Sequence, residues 1–144
     1  MSVGQSHIAS IAVKKSAEDV FAFMADPAKM HLWSFGTWET KITADGLITG
    51  TSIFDGANIL VRIDADAERL AIDYKLGLDA AKLVPRITAR VVPGPNLGLD
   101  GGHAVLTLIA WRAAAMDDGR WRRLTASHDF EVVLIKNLLE NGRS

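Results

Sequence analysis

Between Thr37 and Arg112 apolar and polar residues keep alternating with a period of two, which builds one broad apolar sheet face that another segment has to cover. Trp38, Thr40 and Ile42 alternate with Thr37, Glu39 and Lys41, and Asp45-Gly46 follows as a hairpin signal. Leu47 to Phe54 is a second run, closed by Asp55-Gly56. Ile59, Val61, Ile63 and Ala65 alternate with Leu60, Arg62, Asp64 and Asp66, and Leu70, Ile72, Tyr74 and Leu76 with Ala71, Asp73 and Lys75. Ile87, Ala89 and Val91 then alternate with Arg86, Thr88 and Arg90, before a more thoroughly apolar strand from Val105 to Arg112. One apolar and one charged face at hairpin spacing describe an antiparallel meander, wet outside and covered inside.

The cover is the last segment. Asp117 and Asp118 suit a first helical turn, and Asn141-Gly142 is a stop signal. A helix of about 23 residues between them spans roughly 35 Å, enough to cross a sheet. At about 100° per residue, Trp121, Leu124, Thr125, His128, Val132, Ile135 and Leu139 share one arc, the arc that faces the sheet.

Upstream, His7 to Lys15 reads as a first strand. Ser16 caps a helix carrying Ala17, Val20, Phe21 and Met24 at helical spacing, with Asp19 as a weak capping-box partner. Asp26-Pro27 stops that helix and starts a short second one, which places Met30 and Trp33 on a shared face. The expected class is α+β: six or seven antiparallel strands around a long C-terminal helix, with two short helices after the first strand.

The segment from Val13 to Trp33 resembles the opening of the START-like superfamily, in particular its polyketide cyclase/dehydrase and lipid-transport branch. The matching positions are Ser16-Ala17-Glu18-Asp19-Val20-Phe21, then Asp26-Pro27, then Trp33. The order of the remaining elements matches that group's helix-grip fold over essentially the whole chain. The resemblance implies a cavity between sheet and helix, used across the superfamily for lipids, sterols, quinones, plant hormones or polyketides. It implies no single chemistry, because the fold hosts carriers, receptors, cyclases and chaperone-activating domains alike.

A length of 144 residues suits one domain, 1–144, burying roughly 70% of its unfolded surface. With 49% hydrophobic and 23% charged residues the chain is globular, and a net charge of −1 gives no general attraction to nucleic acid. The absence of cysteine excludes disulfides and thiolate chemistry and suits a reducing compartment. Met1 to His7 shows no secretory signal, and the longest apolar stretches, Val105–Trp111 and Val132–Ile135, fall far short of the ~20 residues that span a bilayer. A cytoplasmic protein is expected, with no stable membrane insertion and no cofactor.

Among polar residues His128 stands out, near the middle of the helical arc between Leu124 and Val132. It either orients a ligand and handles protons, or is a core histidine bonded to a strand backbone or to Tyr74. Tyr74, the one tyrosine, lies on an apolar strand face where a phenol seeks a partner in protein, water or ligand. Trp38 and Trp111 are expected on inward faces as aromatic walls, and Trp121 at one end of the cavity; for each, plain packing is the competing reading. Trp33 is assigned to packing of the short helices. His7, His31, His103 and His128 show no metal-ligand spacing. Arg120, Arg122 and Arg123 form the one basic cluster: a solvated helix face, or an attraction for an anionic ligand at a cavity mouth. The segment Pro93 to Gly102, with two prolines and four glycines, is expected to be a mobile loop and a candidate lid.

Three functions stay open. The first is binding of an apolar or amphipathic small molecule. The second is a polyketide-type cyclase or dehydratase using His128 and Tyr74. The third is an interaction domain with a filled interior, meeting a partner or a second copy (a homodimer) through Phe130 and Val133, which lie off the arc.

Overall fold

The computed structural model describes residues 4–143, so the first three residues of the stretch read for a signal lie outside it. In chain order the elements are β1 (Ser6–Val13), α1 (Ala17–Ala25), a 3-10 helix (Pro27–Leu32), β2 (Trp38–Ile42), β3 (Ile48–Thr51), β4 (Asn58–Asp66), β5 (Ala71–Gly77), β6 (Val84–Pro93), β7 (Ala104–Trp111) and α2 (Asp118–Glu140). The strands form one antiparallel sheet in the order β1-β7-β6-β5-β4-β3-β2. Strands β2 to β7 are therefore a meander, and β1 closes onto β7 with Ser6 opposite Trp111 and Val13 opposite Ala104.

Local chemistry sets the helix starts. The Ser16 hydroxyl accepts from the Asp19 N–H at 3.2 Å, Asp26 Oδ1 from the Ala28 N–H at 2.9 Å, and Asp117 Oδ1 from the Arg120 N–H at 2.7 Å. Each satisfies a backbone donor that the first helical turn leaves free. Helix α2 lies against β1 and β7 and buries Trp121, Leu124, His128, Glu131, Val132, Ile135 and Leu139. Val132, Ile135 and Leu139 join the main core with Val13, Val20, Met24, Ile72, Val91, Leu106 and Leu108. Trp121 and Leu124 belong to a smaller cluster with Ala110, flanked by Phe54, Ile87 and Met116.

Two tryptophans face the other way from the sequence expectation. Trp38 is 58% exposed, because β2 carries a bulge between Trp38 and Lys41, with Glu39 in the left-handed region at φ 51°. The neighbouring Thr37 turns inward instead and is buried. It occupies space that only a glycine opposite leaves free: a Cβ on Gly50 would sit 2.6 Å from Thr37 Cγ2. Trp111 is 42% exposed, because Ala104, Leu106, Leu108 and Ala110 take the buried face of β7 and the pleat turns Trp111 out. Its indole N–H donates to Thr88 Oγ1 at 3.0 Å on the outer face. A strand apolar on both faces hides which parity is inward.

The segment from Pro93 to Gly102 is a compact turn. It contains a 3-10 helix at Gly94–Leu97, the Gly94 N–H donates to His103 O at 2.8 Å, and Asp100 Oδ1 takes bonds from the Gly102 N–H and His103 Nδ1. None of it lines the cavity described below, so it is no lid. Gly94 is buried, and a Cβ there would lie 2.5 Å from His103 O and 2.6 Å from Asp100 O. Gly94→Ala is therefore expected to cost on the order of 1–3 kcal/mol in chemical denaturation. An unchanged midpoint would show that the turn yields easily.

Candidate functional site

A cavity of about 460 Å³ lies between the sheet and the N-terminal half of α2, within the range of small-molecule sites. Met30 and Trp33 close one side from the 3-10 helix and the turn after it, joined by Ser34, Gly36 and Thr37. The sheet contributes Ile59, Tyr74, Leu76 and Ile87. Arg120, Leu124, His128 and Glu131 reach in from α2, and Ala113, Ala115 and Met116 from the connection before it.

Of the residues singled out from the sequence, His128 and Tyr74 line this space, while Trp38, Trp111 and Trp121 do not. Trp121 is buried in the small cluster beside it, with the Arg112 guanidinium 5.9 Å from its ring centre. Trp33, assigned to packing alone, is a wall residue that meets Tyr74 edge-on at 5.8 Å. The Tyr74 hydroxyl is committed elsewhere: it donates to Met24 O at 2.6 Å. Burial, reinforced by Glu131, pushes its pKa far above the ordinary phenol value. Tyr74 thus supplies an apolar wall and a fixed ring, and its proton stays in the bond to Met24.

Glu131 is not singled out in sequence; it falls just outside the arc, about 20° beyond Leu124 on the helical wheel, seven residues after Leu124 and four before Ile135. A carboxylate at such a position is the signal, and counting only apolar residues hides it. The side chain is buried, and its Oε2 accepts from the Phe35 N–H at 3.2 Å. Burial pushes its pKa up to about 8, against the Phe35 N–H bond and the nearby Ser127 side chain, which act the other way. His128, one turn earlier, is also buried. Burial, with a smaller push from His7 and an opposing pull from Asp129, lowers its pKa to about 4. At pH 7 the two are a protonated acid and a neutral imidazole, with His128 Nε2 3.9 Å from Glu131 Oε1. They form no ion pair at that pH, and the gap exceeds a hydrogen bond. Nor is His128 bonded to a strand backbone or to Tyr74.

Arg86 is a second residue that alternation hides. Tyr74 pairs with Ile87 and Lys75 with Pro85, which leaves Arg86 as the extra residue of a bulge in β6. The bulge takes Arg86 out of the outward-facing series of Thr88 and Arg90 and brings it to the cavity wall. Pro85 just before it is the only trace in the sequence, since proline within a strand favours bulges and edges.

Three buried side-chain polar atoms have no hydrogen-bond partner among the described residues: Trp33 Nε1, Arg120 Nη1 and His128 Nδ1. All three belong to residues that line this one cavity.

No protein-family model matches the chain, and no curated protein matches its sequence. Solved structures do match. The Zhui aromatase/cyclase from Streptomyces sp. R1128 superposes with a TM-score of 0.66 at 18% identity, covering 96% of this chain and 92% of that one. A START superfamily protein from Mycobacterium smegmatis gives 0.65 at 14% identity, covering 96% and 99%. The fold is START-like. The Aha1 dimer from Colwellia psychrerythraea shares it, with a TM-score of 0.66 at 12% identity over 96% of this chain and 98% of that one. A START-like frame common to proteins with such different names fixes architecture and leaves function to the site. Among the described residues no helix is long and apolar enough to cross a membrane.

Proposed function

We propose that this START-like chain binds an apolar or amphipathic small molecule in the cavity between sheet and α2. The observation that carries the reading is that Trp33, Arg120 and His128, each with a buried polar atom that has no partner among the described residues, all line one largely apolar space. Buried polar groups are nearly always paired, so groups left free in a common cavity are suited to a guest's polar atoms. An interaction domain would have a filled interior; here the interior holds a cavity.

Glu131 beside His128 favours a second reading, a cyclase- or dehydratase-type enzyme. A carboxylic acid still protonated near neutral pH can give a proton to a ligand carbonyl or hydroxyl, and titratable groups pushed apart by burial are how acid and base roles are assigned. In this reading Glu131 takes the proton-handling role expected of Tyr74.

His128→Phe tests the site. No protein hydrogen bond to His128 is lost, so the unliganded variant is expected to stay within ~1 kcal/mol of the parent. In a thermal-shift screen of fatty acids, sterols, quinones and aromatic polyketides, ligands with a polar anchor should lose their stabilising shift while wholly apolar ones keep it. A variant strongly destabilised without ligand, with all shifts changed alike, would return His128 to the core and sink the assignment.

A further inference from the structure

We infer that the guest of this cavity is a carboxylic acid, its headgroup held between Arg86 and Arg120 and its apolar body running along α2 toward His128 and Glu131. The inference rests on the cavity being a ligand site and adds the ligand's chemical class. Arg86 and Arg120 come from elements far apart in sequence, β6 and the first turn of α2, yet both line the same space. Beyond sharing the cavity wall, Arg120 acts on Arg86: after burial, its charge is what holds the Arg86 pKa below the ordinary value. Guanidinium groups stay charged regardless, and two placed together without a matching pair of carboxylates are costly unless an anion joins them.

The protein supplies one carboxylate for the two cations among the described residues. Among the described residues Arg86 makes no ion pair, and its Nε is used on the backbone, donating to Trp111 O at 3.0 Å. Arg120 has Asp55 3.9 Å from its Nε and a weaker pull from Asp117, which Arg123 opposes, while its Nη1 is buried with no hydrogen-bond partner among the described residues. The Arg120 guanidinium is held over the Phe54 ring at 4.3 Å, which fixes its plane and lowers the ordering cost of binding. The charged groups facing the cavity are Arg86, Arg120 and Asp55, because His128 and Glu131 are neutral at pH 7. The balance is a single positive charge, which a monoanion neutralises and a phosphate dianion overshoots. A planar carboxylate also matches the guanidinium fork.

The length of the guest follows from the helix. His128 is eight residues beyond Arg120, about 12 Å along the axis, so a medium-length chain or a fused-ring acid reaches from one to the other.

The test is isothermal titration of the full chain at pH 7, below micellar concentrations, with dodecanoate, 1-dodecanol and dodecyl phosphate. Dodecanoate is expected to bind at least about tenfold more tightly than 1-dodecanol. Added salt should weaken the acid and leave the alcohol unchanged. In Arg86→Gln and Arg120→Gln the preference for the acid should shrink to within about threefold, with 1-dodecanol affinity kept as the sign that the cavity is intact. Equal binding of acid and alcohol to the parent chain overturns this inference and leaves the cavity reading standing, independently of whether either variant folds. Tighter binding of dodecyl phosphate than of dodecanoate overturns the choice of a carboxylate. Binding of none of the three overturns the cavity reading and this inference together.

Discussion

A chain ended before Asp118 is expected not to fold. Helix α2 packs on β1 and β7, and it buries Trp121, Leu124, Val132, Ile135 and Leu139 in doing so. Each large apolar side chain loses roughly 1.5–3 kcal/mol when its burial is lost. Five of them approach or exceed the ~5–15 kcal/mol that holds a whole domain folded. The core that Val132, Ile135 and Leu139 share with Val13, Leu106 and Leu108 would be opened as well. The expected observation is aggregation or a broad, non-cooperative transition by circular dichroism. A truncated form that stays monomeric by size exclusion and melts cooperatively would show that α2 is an appendage.

Glu131→Gln should alter how stability depends on pH, and by a large amount. The Glu131 pKa is raised by folding, from 4.5 to about 8. Its contribution is therefore complete below pH 4.5 and is lost as pH rises toward 8, because the folded state holds a proton that the unfolded chain has released. His128 is shifted the other way, from 6.5 to about 4, so its contribution is complete above pH 6.5 and is lost as pH falls toward 4. Between pH 4.5 and 6.5 the two trends oppose each other. From pH 6.5 to 8 the Glu131 trend stands alone and removes roughly 2 kcal/mol, out of a total of roughly 5 kcal/mol over its whole window. Glutamine cannot ionise, so the parent-minus-variant difference in unfolding free energy should fall steadily as pH rises from 4.5 to 8. A difference that stays flat across that range would mean that the carboxyl is solvated and titrates normally, and the acid–base reading of the site would fall with it.

The elements that a regular period controls were legible in the sequence. The 23 residues of α2 lie between the capping and stop signals read for it, and Ser16, Asp26 and Asp117 cap as their residue types suggest. What escaped lies where the period breaks. Trp38 and Arg86 sit at bulges, and one inserted residue exchanges the two faces of a strand without changing its composition. Trp111 closes a strand whose two faces are equally apolar, so parity had no contrast to be read from. Glu131 was hidden differently: the helical period puts it at the margin of the arc, just beyond Leu124, and its charge argued further against an inward position. The site is accordingly less legible than the fold, since three of its polar residues, Trp33, Arg86 and Glu131, contradict the ordinary preference of their residue type or position.

The pairing of β1 with β7 also governs how this domain can be made. Ser6 meets Trp111 across the sheet, so the first strand waits for nearly the last strand before its hydrogen bonds can close. The β2–β7 meander can form by successive local hairpins, but β1 must be paired with residues 91 to 105 positions away, against the entropy of a large loop. Helix α2 then packs onto β1 and β7 together. During synthesis the part of the apolar face that α2 covers is consequently exposed until α2 emerges. Sheets dominated by such distant pairings fold in roughly milliseconds to seconds, far slower than helical bundles. For this chain the vulnerable interval is the one in which the strands are complete and the closing helix is still unmade, and any chaperone it needs would be needed then.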